Sequence, residues 1–122
     1  MPLHPHTKRK IDEYQIKTKI SLIGPIGYVE MLSFLNRCEL VITDSGGLQK
    51  ESYFAKKKCI VVREETEWIE LIDEGVNTLC KPKDLLKAYH SSKNGNCSFN
   101  KNFYGSGNSS QVILNSIKNY FK

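Results

Sequence analysis

Apolar and polar positions change period several times along this chain. Residues 18–23, TKISLI, make a short apolar run closed by Gly24-Pro25, which predicts a strand and a breaker. From Gly27 onward, Tyr28, Met31, Leu32 and Leu35 recur at the spacing of one helical face. ELVITD (39–44) predicts a strand, and GGLQKESYFAK (46–56) a helix with Ser45 as its N-cap. KCIVV (58–62) predicts the next strand. TEWIELIDEG (66–75) predicts a helix opened by Thr66 and closed by Gly75. VNTLCK (76–81) predicts a further strand, and PKDLLKAYHSS (82–92) a helix with proline at its start. Residues 93–108 predict a polar, glycine-bearing loop. In 109–121 Ile113, Ile117, Tyr120 and Phe121 share one face, expected to be core or to pack across onto a further domain.

Strands alternating with helices predict an α/β domain with a Rossmann-like parallel sheet, helices on both faces and right-handed crossovers. At 122 residues one domain is the default. The charge is +5 and the pI about 9.0. The lysines and arginines are scattered, so a solvated basic surface is expected first, an anionic small ligand second and nucleic acid third, since no nucleic-acid-binding module is present. The run TKRK at 7–10 is expected to be a solvated face. The four cysteines include no C-x-x-C pair, and no histidine stands at metal-ligand spacing to them. Neither a metal site nor a disulfide framework is expected; reduced thiols in a cytoplasmic protein fit best. The start, MPLHPHTKRK, has no apolar stretch after its charges, so no signal peptide is read there, and no apolar run approaches the ~20 residues that span a bilayer. A soluble chain without membrane contact is expected, and its start reads as a chain entered midway.

The junction LVITDSGGLQKE, at 40–51, is the candidate site. In open α/β sheets ligands bind beyond the carboxyl ends of the strands, where Asp44 to Gly47 stand. Glycines there admit close approach to backbone, and the following helix presents unpaired N–H groups and a positive dipole end. Together these form a phosphate cradle, to which Ser45 can add its hydroxyl. Glu51, further along the helix, suits sugar hydroxyls. Spacing alone leaves a second reading equally open: a tight βα turn, with Gly47 for packing and Glu51 exposed. The motif is neither a Walker A loop nor the dinucleotide fingerprint.

Taken together, the segments closely resemble the C-terminal part of the non-hydrolysing UDP-N-acetylglucosamine 2-epimerases. The resemblance rests on PIGY (25–28), TDSGGLQKE (43–51) and REETE (63–67), in that order, with HPHTKRK (4–10) and YGSGNSSQVI (104–113) at the ends. The wording REETEW is closer to the branch with UDP-2,3-diacetamido-glucuronic acid 2-epimerases. The resemblance implies a GT-B-type fold of two Rossmann-like domains with substrate between them, residues 1–122 being most of the C-terminal, nucleotide-binding domain. It implies that Ser45, Gly46 and Gly47 hold the diphosphate of a UDP-sugar, that Glu51 binds the ribose hydroxyls, that Tyr28 borders the uracil and that Arg63 faces the same cleft, with Asp44, Gln49 and Glu67 behind them. The activity implied is inversion at C2 of the sugar in polysaccharide biosynthesis, without a cofactor.

The family's catalytic carboxylates and its H-R-x-E-N histidine have no counterpart here, so no catalytic residue is expected in this chain. His4 matches the histidine of the family's HPRT segment, His6 replaces its arginine, and Ser106 replaces the aspartate of YGDG. Ala55-Lys56-Lys57 stands where the family has L-G-K, which removes the glycine of a helix C-cap. A truncated gene product, a domain expressed alone or half of a split enzyme is expected, with a homo-oligomer or the missing N-terminal half as partner. The alternatives are a free-standing UDP-binding module without catalysis and a glycosyltransferase donor domain. Trp68 is expected to pack within its helix, ahead of lining a cleft.

Overall fold

The computed structural model describes residues 1–121 and divides into two compact units, Met1–Cys38 and Glu39–Lys122. In the first unit the segment PHTKRKIDE forms α1 (Pro5–Glu13). His4 caps it, its Nδ1 accepting from the His6 amide at 3.2 Å, and Pro5 at the first helical position has no N–H to leave unpaired. The TKRK run lies on this exposed helix, where Lys10 pairs with Glu13 at 2.8 Å. The strand expected at 18–23 does not form. Only Ile23 pairs, in an isolated parallel bridge with Pro2. In the parallel register set by Pro2 and Ile23, residues 18–21 have no partner strand among the described residues, and a strand without a ladder leaves its backbone groups unpaired. α2 (Tyr28–Arg37) follows Gly27 with Leu35 buried and Tyr28 65% exposed.

The second unit carries a three-stranded parallel sheet ordered β1 (Val41–Thr43), β2 (Cys59–Val61), β3 (Asn77–Leu79). The register sets Val41 against Cys59 and Cys59 against Asn77. α3 (Gly46–Phe54) connects β1 to β2, and α4 (Ile69–Asp73) connects β2 to β3. With the strands in sequential order, two right-handed crossovers put both helices on one face. Tyr53, Leu71 and Val76 form the buried cluster on that side. α5 (Leu85–Asn94), entered through a single 3-10 turn at Pro82–Asp84, packs Ala88 with Ile60 and Cys80 in a second cluster. Ile60 points away from its strand neighbours Cys59 and Val61, so the sheet is covered on both faces. All residues of β2 are buried, as expected of a central parallel strand.

Two helix ends differ from expectation. The helix expected from Thr66 starts at Ile69, with Trp68 at its N-cap. Thr66 instead accepts from the Trp68 amide at 3.2 Å in a turn before it. Gly75, at φ 72°, closes α4, and Val76 N–H returns to the Leu71 carbonyl. At the end of α3 the same left-handed cap survives without glycine: Lys56 takes φ 56°, and Lys57 N–H reaches the Ser52 carbonyl at 2.8 Å.

The loop after α5 is not merely polar. Phe99, Phe103 and Tyr104 stack around Tyr53 with ring centroids 5.7–5.9 Å away, and the Tyr53 hydroxyl donates to the Lys101 carbonyl. Gly105 and Gly107, both at positive φ, turn the chain into α6 (Ser109–Tyr120). On this helix the face expected as core, or as packing onto a further domain, is not core in this chain: Ile113 is 58% and Ile117 50% exposed, and Phe121 just beyond it 80%. Among the described residues no helix is long and apolar enough to cross a membrane.

Candidate functional site

The site is built where β1 hands over to α3. Valine and isoleucine hold β1 extended. Ser45 then caps α3, its Oγ accepting from the Leu48 amide at a long 3.5 Å. The Ser45 amide is itself used by Thr43 Oγ1 at 3.0 Å. The amides of Gly46 and Gly47, at the first two helical positions, donate to no acceptor among the described residues.

The two glycines have different surroundings. A Cβ on Gly46 would stand 2.1 Å from Glu67 Oε1 and 3.8 Å from Arg63 Nη1. A Cβ on Gly47 would meet nothing within 4 Å, and the backbone there is not left-handed. The reading of Gly47 as a packing glycine is therefore overturned: neither strain nor a neighbouring atom requires glycine at that position.

Arg63 follows β2, and its Nη1 pairs with Glu67 Oε2 at 3.0 Å. Both side chains are partly solvated, so the pair contributes at most about 1 kcal/mol. Its importance is positional, since it sets a guanidinium beside the start of α3. Arg63 also borders a cleft of about 680 Å³, where Lys81 and Lys87 are mixed with Glu64 and Asp84; that mixture does not define an anion site. The pair Lys81–Glu64, at 3.0 Å, closes part of it. Burial, with Asp84 nearby, pushes the Cys80 thiol in its wall upward, away from the reactive thiolate.

Glu51 lies four residues after Gly47 and so on the same side of α3. It is half-buried, and its carboxylate has no hydrogen bond or ion pair among the described residues. Asp44 is exposed and makes no such contact either. Gln49 is fully buried: its Nε2 donates to the Ser45 carbonyl at 3.4 Å, and its Oε1 accepts from the Thr66 hydroxyl at 2.7 Å. Ser45, Gly46, Gly47, Gln49, Arg63 and Glu67 are thus brought together in the second unit. Tyr28 is the exposed first residue of α2, in the first unit.

Sequence reasoning put Trp68 first as a packing residue and singled out neither Lys50 nor the Tyr104 side chain. Trp68 donates its indole N–H to the Gly46 carbonyl at 2.9 Å rather than only packing its own helix. Lys50 Nζ stands 4.3 Å from the ring centroids of both Trp68 and Tyr104. Tyr104 donates to Glu70 Oε1 at 2.7 Å; burial first, and that bond second, hold its phenol well above the usual tyrosine range. The one available signal was the aromatic content of a loop otherwise rich in Asn, Lys, Gly and Ser.

The chain is similar to known proteins over most of its length. The model of a family described as UDP-N-acetylglucosamine 2-epimerase matches residues 1–118. A UDP-2,3-diacetamido-2,3-dideoxy-D-glucuronate 2-epimerase of Pseudomonas aeruginosa is 47% identical over 79 residues, 65% of this chain and 22% of that protein. A UDP-N-acetylglucosamine 2-epimerase homolog of Methanococcus maripaludis is 37% identical across 97% of this chain and 35% of its own length. A solved structure of Methanocaldococcus jannaschii UDP-GlcNAc 2-epimerase, in complex with UDP-GlcNAc and UDP, superposes with a TM-score of 0.81 at 35% identity, covering 94% of this chain and 34% of that one. The chain thus spans little more than a third of these relatives at most.

Proposed function

The chain belongs to the UDP-N-acetylglucosamine 2-epimerase family, and from that premise we propose that it supplies the UDP-gripping part of the C-terminal domain of such an enzyme. One observation carries the reading. Gly47 stands at a helix start with a free amide and open space where its side chain would be, so glycine there serves something outside the fold. A diphosphate suits it: free amides, the positive end of α3, the Ser45 hydroxyl and the Arg63 guanidinium all favour anionic oxygens. The unpaired carboxylate of Glu51 is the acceptor for ribose hydroxyls. Asp44, Gln49 and Glu67 act behind these contacts. The assignment of Tyr28 to the uracil side rests on the sequence resemblance.

In the reaction proposed for the whole enzyme, a base takes the C2 proton of the sugar and the C2–H electrons form the C1–C2 double bond of a glycal. The C1–O bond breaks and UDP departs with its electron pair. UDP then adds back to C1, while C2 receives a proton on the opposite face. Negative charge grows on the leaving β-phosphate, and donors already fixed at α3 stabilise it without reorganising. The base belongs to the part of the enzyme beyond this chain. UDP-GlcNAc is the proposed substrate, and polysaccharide precursor synthesis in the cytoplasm the proposed setting. A second reading, a UDP-diacetamido-glucuronate substrate, is favoured by the 47% identity to the Pseudomonas aeruginosa relative over the segment that contains the site.

Calorimetry with UDP tests the proposal. The chain is expected to bind UDP, and Glu51→Ala to weaken binding by about tenfold through loss of a charged hydrogen-bond acceptor. An unchanged affinity in Glu51→Ala removes the ribose assignment. Turnover of UDP-GlcNAc and of the diacetamido sugar by a full-length relative carrying this segment separates the two substrates.

A further inference from the structure

Two carbonyls behind the glycine turn are held from below. The Ser45 carbonyl accepts from Gln49 Nε2 at 3.4 Å, and the Gly46 carbonyl accepts from Trp68 Nε1 at 2.9 Å. A peptide unit is planar, so fixing its C=O fixes the direction of the N–H on its other side. The N–H opposite the Ser45 carbonyl is that of Gly46, and the one opposite the Gly46 carbonyl is that of Gly47. We propose that Gln49 and Trp68 are positioning residues which aim these two amides at the phosphate oxygens, Trp68 setting the amide of Gly47.

The two holds are tied to each other. Thr66 accepts from the Trp68 backbone amide at 3.2 Å and donates to Gln49 Oε1 at 2.7 Å. The indole is also braced across its face: Lys50 Nζ lies 4.3 Å from its centroid and the same distance from that of Tyr104, whose ring meets Trp68 edge-on at 6.2 Å. Tyr104 in turn is anchored on Glu70. A residue serving only to pack α4 needs none of these polar contacts. Through Tyr104 the aromatic loop after α5 is coupled to the cradle, because that loop holds the ring that holds Lys50 and the indole. The inference rests on the reading of Ser45–Gly47 as a diphosphate cradle.

The test compares UDP with uridine, which lacks phosphates and so ignores the direction of the two amides. Trp68→Phe removes the indole N–H and keeps an aromatic face for Lys50. UDP affinity is expected to fall about fivefold to tenfold, the worth of one hydrogen bond, with uridine affinity unchanged. Lys50→Met, which frees the indole without removing it, is expected to lower the UDP-to-uridine affinity ratio by a smaller factor in the same direction. Trp68 is the only tryptophan, so wild-type fluorescence should shift on adding UDP and not on adding uridine. UDP affinity unchanged in Trp68→Phe overturns the inference and leaves the cradle standing. Equal weakening of UDP and uridine also overturns it, showing a general structural role. Failure of the wild-type chain to bind UDP removes the cradle itself, and that result appears before any substitution is made.

Discussion

Replacing Gly47 with alanine separates what the fold needs from what a ligand needs. The new methyl meets no atom within 4 Å, and the backbone at Gly47 is not left-handed. Alanine also has fewer unfolded conformations to lose than glycine. The folded chain should therefore gain about 0.4–1 kcal/mol. In a helix each Cα–Cβ bond tilts toward the N-terminus, so the methyl projects toward the open end of α3. A phosphate oxygen accepting from the Gly47 amide at about 2.9 Å would have to share that space. Losing that charge-assisted bond costs about 1.5–3 kcal/mol, roughly a tenfold to hundredfold drop in UDP affinity. Chemical denaturation gives the stability and calorimetry the affinity. A Gly47→Ala variant more stable than wild type and much weaker for UDP is the expected pair of results. Wild-type affinity for UDP would refute the reasoning, because the open space would then have no ligand to explain it. A loss of more than about 1 kcal/mol in stability would also refute it, by showing that the fold does need this glycine.

Two further predictions concern stability. Lys56→Gly should stabilise the chain by about 0.5–1 kcal/mol in a denaturant titration, because Lys56 sits at φ 56°, where a Cβ is penalised and glycine is not. No gain would mean that glycine's extra unfolded freedom offsets the relief. Tyr104 holds its proton more tightly folded than unfolded, because burial and its bond to Glu70 oppose ionisation. Its contribution is thus present below its unfolded value near pH 10.0 and is lost as pH rises beyond that toward the higher folded value. Tyr104→Phe should cost about 1 kcal/mol near pH 8 and flatten the alkaline fall in melting temperature from about pH 9 to about pH 11. An unchanged alkaline slope would contradict the assignment.

The β1–α3 junction is legible in the sequence because local forces agree there. A β-branched run favours extension, serine is a strong cap, and Gly46-Gly47 leaves amides unpaired. Gly75 marks the end of α4 for the same local reason, and the alternation of strands and helices shows the α/β fold. The failures arise where distant partners decide. TKISLI has the composition of a strand, but among the described residues it forms one isolated bridge, at Pro2, beside a bond from the Met1 terminus to the Ser21 carbonyl. α1 starts at a proline inside a segment whose histidines and lysines show no apolar period. Trp68 reads as a helix residue because only the folded chain sets its N–H against a carbonyl 22 positions earlier. The aromatic residues of 99–104 are hidden among polar neighbours, and their partner Tyr53 lies 46 or more positions earlier in the chain. In the candidate site the motif marks the glycines, Ser45 and Arg63. It does not mark that Glu67 leans over Gly46 while Gly47 stays open, since both depend on how the Arg63–Glu67 turn folds back onto α3.

A titration of the isotope-labelled chain with UDP, followed by amide resonances, bears most directly on the central claim. The amides of Gly46 and Gly47 are expected to shift furthest and together, with Leu48 and the Arg63 side chain behind them, and to stay still when uridine replaces UDP. Shifts concentrated instead on the Lys81–Lys87 cleft, with the two glycine amides unmoved, would contradict the account.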